Sequence, residues 1–130
     1  MHLKQGKAMS QDNLKEKLKE IDDRIIQLKK EIELGDAIHK LHEDENFIKV
    51  VIDGYFDSEE KRIAGLLFNP TKLKRDQLEN IMDKATGIRN FKQFIQTVLI
   101  NAQLAPEQIE EEETFRKQVT SEPVITVEDK

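Results

Sequence analysis

The chain has no cysteine, which excludes disulfide staples and thiolate chemistry. It has no apolar run long enough to cross a bilayer, so no spanning helix is expected. Met1 to Ser10 carries Lys4 and Lys7 without a hydrophobic stretch, so a secretory signal is not expected there. No glycine-rich phosphate loop is present, and no serine sits in a nucleophile elbow. Only three prolines interrupt 130 residues, which leaves room for long helices.

Charge is abundant. Charged residues make up 36% of the chain and hydrophobic residues 37%. That balance suits elongated helices with much solvated surface. The net charge of −5 is unevenly placed. From Glu107 onward there are eight acids and three bases, so residues 1–106 are neutral, 18 against 18. This sorting argues for a balanced folded body and an acidic appendage. It argues against a nucleic-acid binder, which needs a basic face.

The clearest pattern is a heptad seam. Leu14, Leu18, Ile21, Ile25, Leu28 and Ile32 recur at steps of four and three. A helix this polar must bury its one stripe. In a parallel homodimer Lys17 would attract Asp22, but Arg24 would repel Lys29 and Glu31 would repel Asp36. The charges therefore do not specify that arrangement. The seam is expected to bind a partner, with packing against its own chain as the alternative.

Ser10 is the expected N-cap of this helix, which runs to about Leu34, with continuation past Gly35 on a different face, set by Leu34, Ala37, Ile38 and Leu41, as the alternative. Gly35 reads as a kink or a close backbone approach. Asp44 caps a second helix, Glu45 to about Tyr55. Its apolar set (Phe47, Ile48, Val50, Val51, Ile52, Tyr55, Phe56) is wide enough for a helix surrounded on all sides. The run Val50-Val51-Ile52 also suits a strand. Asp57 or Ser58 caps a third helix, ended by Asn69-Pro70. A basic connector, Thr71 to Arg75, precedes a long periodic segment from Leu78 to Ala102. Ala105-Pro106 ends or restarts it. Residues Thr120 to Lys130 are expected to be disordered alone. There Val124, Ile125 and Val127 alternate as in an extended partner-binding segment.

Candidate chemistry is sparse. His39 and His42, followed by Glu43, Asp44 and Glu45, resemble metal ligands, but two histidines do not complete a site; a solvated helix end is the expected reading. Tyr55, the single tyrosine, is expected at the edge of the core. Lys72, Lys74, Arg75, Lys84, Arg89 and Lys92 are interleaved with acids and read as a solvated face. No catalytic, cofactor or metal residue is assigned, and no enzymatic activity is expected.

Several segments together carry a resemblance. They are Glu33 to Leu41, Phe47 to Ile52, Gly54-Tyr55-Phe56, Glu60 to Ala64, Leu66-Leu67, Pro70, Gln77, Ile81, Ala85, Gly87-Ile88-Arg89 and Phe91 to Ile95. Over about residues 31–100 the chain resembles small helical proteins of tailed bacteriophages, encoded near virion structural genes. The resemblance implies a role in particle assembly and a place in the virion, or in the host cytoplasm during assembly. It implies no catalytic residue.

The expected fold is all-α: a compact helical bundle with a long N-terminal coiled-coil-like helix and a flexible acidic C-terminal tail. The expected divisions are a loose N-terminus (1–10), a heptad helix (11–34), a helical core (35–105) and an acidic tail (106–130). The expected partners are other phage structural proteins, bound through the chain's ends in a homo- or hetero-oligomer. A cytoplasmic phage adaptor for a host protein is the alternative.

Overall fold

Ser10 opens the first helix, its Oγ accepting the Asn13 N–H at 3.1 Å. This serves one of the four backbone donors a helix start leaves unpaired. In the computed structural model, residues 10–128 are described, with side chains described as far as Ser121 and not at Pro70. Helix α1 (Gln11–Glu43) follows. It passes Gly35 without interruption, and Gly35 is buried.

Asp44 starts α2 (Glu45–Phe47), its Oδ1 accepting from the Phe47 N–H at 2.9 Å. The helix then changes its hydrogen-bonding step and becomes a π-helix over Ile48–Ser58. Helix α3 (Glu59–Leu67) continues from it, a short 3-10 turn covers Pro70–Lys72, and α4 runs over Arg75–Glu128. The fold is all-α, as expected, and no strand occurs among the described residues.

Four expectations need correction. The strand option at Val50 to Ile52 fails, because the segment is π-helical. That segment is not surrounded: Phe56 is buried, Val51 and Ile52 pack on the core, but Val50 is 65% exposed. Neither Asp57 nor Ser58 caps α3 with its side chain; Ser58 has helical backbone angles and the chain arrives already wound. Finally, α4 does not stop at Pro106. Proline inside a helix costs about 3 kcal/mol. Here Ala105 beside it is fully buried, and Val119 beyond it is buried too, so packing offsets the local penalty.

The chain divides into two units. One combines residues up to Glu33 with those from Asn101 onward; the other is Leu34–Ile100. In the first, Ile21, Ile25 and Val119 form the core, with Leu14, Leu18 and Ile109 against it. Arg24 pairs with Glu112 and Asp22 with Arg116, so rising numbers on α1 meet falling numbers on α4. This is an antiparallel helical hairpin. In the second unit, Ile38, Phe56, Ile63, Ile81, Ile88, Ile95 and Val98 form the core. Val51, Ile52, Leu66, Leu67 and Leu73 pack around it.

The expected boundaries shift accordingly. Residues 11–33 and 106–121 are not two separate appendages but belong to the two sides of one hairpin, and Leu34 falls in the other unit. Of the expected loose N-terminus, residues 1–9 lie outside the described residues.

Candidate functional site

The centre of the seam expected to bind a partner packs within the chain, the alternative that the sequence also offered. Ile21 is fully buried and Ile25 nearly so, both against Val119 of α4, while Leu14, Leu18, Leu28 and Ile32 are half-buried. The acidic segment supplies the reason. Arg24 Nη2 lies 3.0 Å from Glu112 Oε1, and Arg116 Nε lies 2.9 Å from Asp22 Oδ1. Lys17 Nζ sits 5.4 Å from the centre of the Phe115 ring. The hydrogen bond to Glu112 raises the Arg24 pKa, and the one to Asp22 raises that of Arg116. Val124, Ile125 and Val127 have helical backbone; their side chains lie outside those described.

The histidines do not converge with the acids near them. His39 is exposed. His42 Nδ1 lies 2.9 Å from the Ile38 carbonyl, and its ring meets Phe47 edge-on at 5.5 Å. That bond requires Nδ1 to carry the proton as donor. Asp44 is occupied as a cap. Among the described residues no three metal-ligating side chains come together.

Tyr55 does stand at the core edge, 39% exposed. Its ring is 5.6 Å from Phe56 and 6.3 Å from Phe91, and Phe56 meets Phe91 at 5.3 Å. Its hydroxyl lies beside Gly87, 3.9 Å from where a Cβ would stand. Phe91 is 37% exposed and Phe94, one helical turn on, is 54% exposed. A ridge of three aromatic rings therefore runs from the buried Phe56 to the surface.

The basic residues separate. Lys92 stays exposed but is paired: its Nζ is 2.9 Å from both carboxylate oxygens of Glu60 and 5.3 Å from the Phe56 ring centre. Arg62 is bound to Glu59, with Nε 3.0 Å from Oε1, and that hydrogen bond lowers the Glu59 pKa. Arg75 is an exposed partner of Glu79.

Beside Lys92 the structure holds a groove of about 740 Å³. Its floor is Ile52, Phe56, Ile63, Leu67 and Ile95, and Ala64 and Ala85 leave the space open. His42, Glu60, Arg89, Lys92, Gln93 and Gln96 edge it. Sequence reasoning missed this groove. Its only signal was two alanines among large apolar residues, and nothing in the sequence says that they face one space. No protein-family model matches this chain, and comparison with curated proteins and with solved structures finds no match either.

Proposed function

We propose that the chain is a non-enzymatic assembly protein of a tailed-phage particle. In this reading it binds other structural proteins through residues 34–100. The observation that carries the proposal is the exposed edge of that ridge, Tyr55 and Phe91 with ring centres 6.3 Å apart, and the exposed Phe94 one helical turn beyond Phe91. Aromatic side chains concentrate at protein–protein interfaces, where large rigid rings bury area at small entropic cost. The phage context comes from the resemblance over residues 31–100. The contact surface differs from the one the sequence pointed to. The heptad seam has an internal partner, so the expected binding through the ends moves to the aromatic ridge. The proposed location is the virion, and the host cytoplasm during assembly.

Mass spectrometry of gradient-purified mature and precursor particles tests the reading. Stoichiometric presence in either supports it, and Phe94→Glu should then reduce incorporation while the purified variant stays helical. Absence from both, with a host protein recovered on the tagged chain, overturns it in favour of a cytoplasmic adaptor.

A further inference from the structure

We propose that the groove between α3 and α4 binds an alkyl carboxylate. The hydrocarbon chain lies on Phe56, Ile63 and Ile95, and the carboxylate pairs with Arg89. Size is the first argument. At about 740 Å³ the groove falls in the range of small-molecule sites, roughly 300–1,000 Å³. Its lining is of the usual kind as well: an apolar floor with few polar groups at the edge.

Charge selects the ligand's head. Glu60 and Lys92 cancel, since both Glu60 oxygens lie 2.9 Å from Lys92 Nζ. His42 directs Nδ1 to the Ile38 carbonyl at 2.9 Å and brings no carboxylate to the rim. Arg89 is left over. Its one hydrogen bond among the described residues is to the Thr86 hydroxyl, at 3.4 Å, and no carboxylate pairs with it there. The rim thus carries one uncompensated guanidinium, whose planar fork suits a carboxylate. One such cation beside an oily floor fits a singly charged head on an alkyl tail.

The backbone adds an independent observation. Ile52 and Phe56 both line the groove, and both come from the π-helix. Such turns are rare and occur often at functional sites. Here the widened turn brings residues four and five apart onto one side, so Val51, Ile52 and Phe56 all serve the core face.

The test uses the full chain and decanoate, with decanol and decylamine as controls, in titration calorimetry and amide NMR. Decanoate should bind saturably below its micellar range and shift the amides of Ile63, Ala64, Ala85 and Arg89. Decanol and decylamine should bind at least tenfold more weakly. Arg89→Gln should weaken decanoate by about tenfold or more, the scale of a lost charge-assisted hydrogen bond. Ala64→Phe, at an exposed position on the groove wall, should abolish binding while circular dichroism stays unchanged. Absence of saturable binding, equal affinity for decanol, or full affinity in folded Arg89→Gln would each overturn the proposal.

Discussion

Arg116 reaches Asp22 across 94 positions of sequence, Nε to Oδ1 at 2.9 Å. Together with Arg24–Glu112 this pair marks the register of an antiparallel hairpin. Both side chains are close to half exposed, so the pair selects geometry more than it adds stability. Asp22→Arg should lower the melting temperature by placing two like charges together. Adding Arg116→Asp should restore most of the loss. Thermal unfolding of the two single variants and the double variant measures this, and additive losses would show that the residues do not meet.

Burial makes a larger demand. Ile21 is fully buried in the hairpin and Ile88 is 1% exposed in the other unit. Replacing either with Ala should cost about 2–5 kcal/mol in urea unfolding, from lost transfer energy and the cavity left behind. Ile26, at 52% exposed, should tolerate the same change with little effect.

The glycines divide by surroundings. A Cβ at Gly65 would meet nothing within 4 Å, and at Gly87 only the Tyr55 hydroxyl at 3.9 Å. Alanine at either should stabilise by about 0.5–1 kcal/mol, since glycine loses more backbone freedom on folding. At Gly54 a Cβ would stand 3.1 Å from the Lys49 carbonyl, five residues back. The π-helical step brings that carbonyl close, so Gly54→Ala should destabilise. Melting curves that rank all three alike would refute this account.

Glu59 ties stability to acid. The hydrogen bond from Arg62 holds its carboxyl below the usual range. The folded state therefore binds its proton less readily than the unfolded chain does. The resulting stabilisation is complete above the unfolded value and disappears as pH falls through the lower folded one. In Arg62→Gln, carboxyl NMR should show Glu59 titrating higher, and this part of the acid dependence should flatten.

Deleting residues 107–130 should uncover Ile21 and Ile25, which Val119 now covers. The shortened chain should self-associate through the released seam, seen as a higher mass in light scattering. A monomeric shortened chain would show that the stripe tolerates water.

Local patterns made much of the fold legible. Ser10 and Asp44 cap as their side chains predict, and Asn69-Pro70 ends α3. Ile21 and Ile25, at the centre of the heptad stripe on α1, are buried, and Leu14 and Leu18 pack against them. What covers it was not legible, because Ile109 and Val119 are isolated apolar residues in an acidic stretch. Their worth appears only when Glu112 and Arg116 find Arg24 and Asp22. The π-helix was hidden for a similar reason. Phe47 to Phe56 reads as an ordinary apolar helix, and only packing selects the wider step. The groove depends on Ala64 and Ala85 sharing one space, a pairing that no single segment encodes.

The hairpin also sets a schedule for synthesis. Its first side is complete at Glu33, but its second begins at Asn101, with an entire unit between them. At ribosomal speeds of about 5–20 residues per second, Val119 is added roughly 4–17 s after Glu33. During that interval the apolar stripe of α1 has no mate on its own chain. Neighbouring nascent chains on one message carry the same uncovered stripe. Expression rate, and any holding chaperone that shields the stripe, therefore decides how much product folds onto itself and how much is captured by its neighbours.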